Sequence, residues 1–293
     1  MAIDPRNYDL DELRAASGAS PVGDVGRPND DPGERRSDDP AVDDGDGETD
    51  DHPAAAAAFE ESVSRDLAAM DHQGEAPDRP SPDLLTLVQW MSPAFPVGGY
   101  AHSHGLETAV ARAAVHDAAT FRAWLEAVTL RGAGRCDAVL LALAHRGAHP
   151  PEDLADIACA LAPGAERHDE AVALGTAFAR AADALHAPSS PQGAAWPFPV
   201  AVGVRARALD LPTRIVAALY LQAFAGNLAT IAARIVPLGQ TAAQAALSAL
   251  GPAISDVAGE AASVGLDALE SGVPTADLDS LVHETAEPRL FRS

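Results

Sequence analysis

The densest run of groups able to do chemistry is Tyr100-Ala101-His102-Ser103-His104-Gly105-Leu106-Glu107. His102 and His104 form an HxH pair, a spacing found among metal ligands. No third and fourth ligand stand nearby in sequence, so the metal signal is weak. The plainer reading is a helix start, with Ser103 as its N-cap and Gly98-Gly99 turning the preceding loop. Contact with a partner protein is a further reading. His104 and Glu107 stand at i, i+3 and would share a helix face. His145 and His149 form a second pair at a helix end, where a cationic imidazole is favoured by the dipole. Pro150 breaks the helix there and makes shared ligation doubtful. Gln222 and Asn227 fall inside a charge-free apolar stretch. Buried amides must find partners, either fixing helix register or lining a cavity. The last run, His283-Glu284-Thr285-Ala286-Glu287-Pro288-Arg289-Leu290-Phe291-Arg292-Ser293, sets an aromatic among cations. It reads as a frayed end or as an interface anchor. No GxGxxG, GxxxxGK[ST], HExxH or GxSxG motif is present, and no Ser-His-Asp set is fixed by spacing.

Charge narrows the choice of function. The 293 residues hold 43 acids and 20 basic residues, a net of −23, and every basic residue is Arg. Such a surface repels phosphate backbones and argues against nucleic-acid binding. The lack of lysine excludes Schiff-base and P-loop lysine chemistry. Two cysteines, Cys136 and Cys159, supply neither a disulfide framework nor a Cys-rich zinc site, which suits a reduced, cytoplasmic protein.

The elements that position these residues divide into two regions. Residues 1–83 hold 23 acids and 7 Arg, with only Tyr8 and Phe59 as aromatics. Residues 1–82 therefore read as an acidic disordered extension. Within it, Phe59, Val63, Leu67 and Met70 would share one face of a short helix over 54–70. Asp4, Arg6, Asp9, Asp11 and Glu12 interrupt any signal-peptide core. Residues 83–293 suit one domain with a proper core. Pro and Gly cut it into helical lengths: 84–91, 103–116, 120–144, 151–163, 166–186, 197–209, 212–236, 240–250, 254–269 and 275–287. Gly132 and Gly134 weaken the third of these. No sustained period-2 alternation occurs, so the fold class is all-α, a single compact domain of about nine or ten helices. Residues 215–233 carry no charge and approach membrane-spanning length, but Gln222, Gly226, Asn227 and Thr230 favour a buried central helix.

Five blocks carry a family resemblance. LLTLVQWMSPAFPVGGYAHSHGLE (84–107) resembles the opening motif of UreF, the urease accessory protein. AERHDEAVALGTA (165–177), WPFPVAVGVRARAL (196–209), YLQAFAGNLATIAARIVPLGQ (220–240) and HETAEPRLFRS (283–293) are similar to later family blocks, in family order. The resemblance covers nearly all of 84–293 and none of 1–83. It implies an all-α homodimer without catalysis or a stable cofactor of its own. Its implied partners are a UreD-type accessory protein (UreH in some systems), the UreG-type GTPase that handles nickel and GTP, and apo-urease. It implies that Arg289, Leu290, Phe291 and Arg292 make ordered contacts with the UreD-type partner or at the dimer centre, with Tyr100 near Arg289. His102, His104, Glu107 and Gln222 would line a path for nickel. Arg167 becomes a candidate to act on the GTPase in the manner of an arginine finger. Asn227 and Gln240 join the partner-binding set. The alternative is a stoichiometric nickel protein using His102 and His104.

Overall fold

The computed structural model describes residues 80–99, 102–186, 195–270, 272–287 and 289–291. The expected extension over 1–82, its helix over 54–70, and the candidates Tyr100 and Arg292 lie outside these residues, apart from 80–82. Among the described residues there are eleven α-helices, one 3-10 turn at Leu266–Ala268 and no strand. The all-α expectation holds, and local chemistry explains the boundaries.

Helix α1 spans Pro82–Trp90, and Ser81 caps it by accepting the Leu84 N–H at 3.1 Å. Pro82 sits at its first position, where no N–H is required. Helix α2 spans Leu106–Ala111. Ser103 is therefore not its cap. Ser103 is fully buried and its hydroxyl meets no partner. The expected long helix over 120–144 is two helices, α3 at Ala118–Leu130 and α4 at Ala133–Arg146, broken at Gly132. A reciprocal capping box starts α3: Asp117 accepts the Thr120 N–H, and Thr120 Oγ1 accepts the Asp117 N–H. Helices α5 (Pro151–Ala160) and α6 (Ala165–Leu185) follow, then α7 (Phe198–Ala206) and the longest, α8 (Thr213–Ile235). Helices α9 (Gly239–Ala249), α10 (Gly251–Ala261) and α11 (Pro274–His283) close the domain. The single helix expected over 254–269 stops at Ala261 and gives way to the 3-10 turn.

The apolar core gathers around α4, α7 and α8. Phe121, Phe178, Leu140, Leu141, Leu221, Leu228 and Ile231 are its largest fully enclosed members. Helix α7 lies directly against α4 because Gly203 has no Cβ. A Cβ there would come 2.8 Å from Ala144 Cβ and onto the carbonyl of Leu141. Trp90, Phe95 and Phe198 pack their rings around Phe178 at centroid distances of 5.4–5.8 Å. Helix α8 is apolar and long enough to cross a membrane by length and composition, yet half of its most apolar window is buried in the domain.

One glycine links the fold to the site. Gly105 precedes α2 with φ of +78°, and a Cβ there would stand 2.9 Å from both Ala276 O and Ser280 N. The close approach lets α11 lie on α2. Arg112 of α2 clamps the pair by donating two bonds to Asp279 of α11, at 2.7 and 2.8 Å.

Candidate functional site

Two polar centres form where α2, α6 and α11 meet. The first is a buried charge cluster. Glu170 of α6 continues the apolar stripe Leu174, Phe178 and Ala182, so the periodicity that buries that stripe buries the carboxylate too. Arg167, one turn earlier, pairs with it. His104 Nε2 lies 3.2 Å from Arg167 Nη1 and 3.2 Å from Glu170 Oε1, and His102 Nδ1 lies 3.6 Å from Glu170 Oε2. A neutral ring nitrogen either accepts from the guanidinium or donates to the carboxylate, so His104 Nε2 satisfies one of these neighbours at a time. Asp137 of α4 sits opposite and accepts the Tyr220 hydroxyl at 2.8 Å.

Burial and charge set the protonation of this cluster. Burial raises the Asp137 carboxyl to about 6, against the pull of Arg167 and the Tyr220 hydrogen bond. For Glu170 burial also acts upward, but Arg167 and His104 outweigh it and hold the carboxyl at about 2. His104 falls to about 4, first through burial and then through repulsion by Arg167, which outweigh Glu170. At neutral pH the cluster therefore holds ionised Glu170 against Arg167, with His104 neutral.

These shifts set a pH prediction. Asp137 binds a proton more tightly folded than unfolded, so it stabilises the fold near pH 4 and loses that contribution as pH rises towards 6. His104 works in the opposite direction: its contribution is lost as pH falls from 6.5 towards 4. In the native chain the two slopes largely cancel between pH 4 and 6. Asp137→Asn keeps an acceptor for Tyr220 and removes one slope. Urea unfolding of this variant is expected to show a gain of about 2–3 kcal/mol at pH 7 that fades by pH 4. Equal curves for variant and native chain across that range would refute the assignment.

The second centre is the docked C-terminal tail. Glu107 of α2 accepts the Leu290 N–H on Oε1 at 2.9 Å and the Phe291 N–H on Oε2 at 3.0 Å. Glu166, in the first turn of α6, takes the Arg289 guanidinium. Behind both carboxylates stands His283, fully enclosed, with Nε2 3.2 Å from Glu107 Oε2 and Nδ1 3.1 Å from Glu166 Oε2. Arg234 Cζ lies 4.9 Å from the centre of the Phe291 ring.

The predicted site residues separate into groups. His102 and His104 are buried, and Arg167 is nearly so. Arg167 is only 11% exposed and pairs with Glu170, so reaching a partner's nucleotide would strip a buried carboxylate of its cation. Glu107, Arg289, Leu290 and Phe291 do come together, and Arg289 meets Glu166. Glu107 serves the tail and His283 rather than standing with His102 and His104. Gln222 lies on the exposed side of α8 and is not a buried amide. Asn227 is half-buried and donates to Gly99 O at 2.7 Å, pinning the loop before the HxH pair to α8. Gln240 is exposed near the start of α9. His145 does not pair with His149. Its Nδ1 meets Thr213 Oγ1 at 2.9 Å and its Nε2 meets Ala206 O at 3.2 Å, and burial lowers its pKa. Among the described residues, no group of three or more His, Cys, Asp or Glu is arranged to hold a metal ion.

Sequence reasoning missed Asp137, Glu166, Glu170, Arg234 and His283 as site residues. A signal existed for two of them: Asp137 and Glu170 interrupt apolar helical faces, where a carboxylate needs a partner.

The family model UreF matches residues 115–251. The urease accessory protein UreF of a Cereibacter sphaeroides strain is 52% identical over 210 residues, covering 72% of this chain and 98% of that protein. The chain belongs to the UreF family. The UreF proteins of Rhodopseudomonas palustris (44% identical, 72% of this chain and 93% of that protein) and Dinoroseobacter shibae (46%, 71% and 98%) agree. The matched stretch of about 210 residues spans nearly the whole length of these relatives, whose name marks them as accessory proteins of urease.

Proposed function

We propose that the chain is a non-catalytic adaptor in cytoplasmic urease maturation. It binds a UreD/UreH-type accessory protein, and the pair recruits and regulates the UreG-type GTPase, so that GTP hydrolysis releases nickel into apo-urease. Nickel and GTP are handled by the GTPase, and the adaptor works as a homodimer. The observation that carries this reading is the docked tail. It is held through its main chain and Arg289, which leaves the Leu290 side chain 74% exposed. Helix α11, which leads into it, exposes Leu278, Leu281 and Val282. Exposed apolar groups at i, i+3, i+4 on a charged protein suit a protein partner. The outward side of α8, with partly buried Ala218, Leu219, Ala223 and Gly226 beside exposed Gln222, supports contact between two copies.

The cluster at His104 speaks against the nickel-protein alternative. A divalent ion at His102, His104 and Glu170 would have to displace Arg167, whose charge it would otherwise face.

Size-exclusion chromatography with light scattering tests the adaptor reading, run at the salt of the source because screening governs so acidic a chain. The chain alone should run as a dimer. Adding the UreD-type protein, then the GTPase with magnesium, nickel and a slowly hydrolysed GTP analogue, should raise the mass stepwise. Deleting residues 289–293 should weaken one of these steps at least tenfold. A full set of complexes with the tail removed would remove the tail from the proposal, and no complex at any salt would end the proposal itself.

A further inference from the structure

The tail is held as a peptide-binding protein holds a ligand. Glu107 uses both carboxylate oxygens on two successive main-chain N–H groups, at 2.9 and 3.0 Å. Such contacts read the path of a chain, not its side chains. Side-chain selection comes on either side of Leu290: Glu166 takes Arg289, and Phe291 packs against the core beneath Arg234. Leu290 points outward and is not read.

The receptor side of this contact is independently braced. His283 sits between Glu107 and Glu166 and touches the carboxylate of each. The Glu166 main-chain N–H donates to Glu284 Oε1 at 3.0 Å, and Asp279, one turn before His283, is clamped by Arg112. Both carboxylates are therefore placed by α2, α6 and α11 before any tail arrives, which lowers the ordering cost of binding. Beside Arg289 and Phe291 a cavity of about 340 Å³ remains, lined also by His102, Glu166, Asp169 and Glu170. The tail thus borders open space walled by acidic side chains of α6.

We propose that the acidic groove between α2, α6 and α11 is a recognition site for peptide segments of the form Arg-X-Phe, which this chain fills with its own C-terminal tail and from which that tail exchanges. The occupant it fits is an extended segment with free main-chain N–H groups, a guanidinium and an aromatic ring two residues later. The docked tail underlies both this proposal and the adaptor reading, but peptide exchange is measured on the chain alone and complex formation only with its partners, so the two can fail separately.

The test uses the full-length chain with its tail disabled, R289A/F291A, and a fluorescent octapeptide of sequence AEPRLFRS. Anisotropy should show saturable one-to-one binding. The native chain should bind the same peptide at least tenfold more weakly, because its tethered tail competes at an effective concentration in the millimolar range. Adding Glu107→Gln to R289A/F291A should weaken binding at least tenfold, with Glu166→Gln as the second variant if the first melts early. A scrambled peptide of equal charge should bind at least tenfold more weakly than the true one. No binding by an R289A/F291A chain that melts like the native protein would overturn the proposal. So would equal binding of the native and tail-disabled chains, or equal binding of the scrambled peptide, which would reduce the contact to general attraction between a basic peptide and an acidic protein.

Discussion

Replacing Arg167 with alanine is expected to destabilise the fold by about 3–5 kcal/mol at pH 7. The guanidinium pairs with Glu170, whose side chain is 3% exposed, and it lies in the field of Asp137 as well. Its removal leaves a buried carboxylate without its cation, and His104, held neutral at pH 7, cannot replace it. The loss should shrink as pH falls. Arg167 itself helps to keep His104 neutral, so without it the imidazole protonates more readily and takes over part of the pairing. Urea unfolding at pH 7 and pH 5 would show this as a smaller gap between variant and native chain at the lower pH. Replacing the pair together, Arg167→Met with Glu170→Leu, should recover most of the stability, because two apolar groups of similar size need no compensation. A loss under 1 kcal/mol for Arg167→Ala at pH 7 would mean that the pair is open to water in solution and that the cluster does not organise the core.

The second large effect is expected at Gly105→Ala. The residue holds φ of +78°, a conformation that costs a side-chain-bearing residue about 1–3 kcal/mol. Its new Cβ would also meet Ala276 O and Ser280 N at 2.9 Å, and both belong to the backbone of α11, not to a yielding side chain. Overpacking of this kind costs about 1–3 kcal/mol more. Relief requires α11 to move off α2. Helix α11 carries His283 and leads directly into the tail, so the same change should loosen the hold of Glu107 and Glu166 on residues 289–291. Thermal melting should record the loss of stability. Faster hydrogen exchange at the Leu290 and Phe291 amides should record the loss of docking. A variant that melts as the native chain does, with those amides unchanged, would show that α11 does not depend on this close approach.

Much of the fold was legible because helices are local. Ser81, Asp117, Pro151, Pro197 and Pro212 mark starts that depend only on neighbouring residues. The strong apolar period through Phe121, Leu125 and Val128 needed no tertiary information to reveal α3. The misreadings have local causes as well. Gly132 weakens the expected helix, but only its non-helical backbone, with φ of −109° and ψ of −137°, shows that the chain breaks there. Ser103 has the chemistry of a cap, but packing buries it two residues before Gly105, where the helix is actually entered.

The site was legible in part and for a different reason. The resemblance of the closing residues to the UreF family pointed to Arg289, Leu290 and Phe291, and Glu107 was noticed beside the HxH pair. What they touch was not readable. Glu107 meets His283 across 176 positions and Phe291 across 184, while Tyr220 meets Asp137 across 83. By itself the sequence determined an all-α, lysine-free, acidic chain of the UreF family, with helix ends set by proline, glycine and capping side chains. Only the tertiary structure decided that Arg167 and the HxH histidines are interior, that Gln222 faces outward, and that His283 braces the two carboxylates holding the tail. The physical reason is that capping and periodicity act within one or two turns of helix. Pairing of buried charges is decided by which helices the apolar core brings side by side.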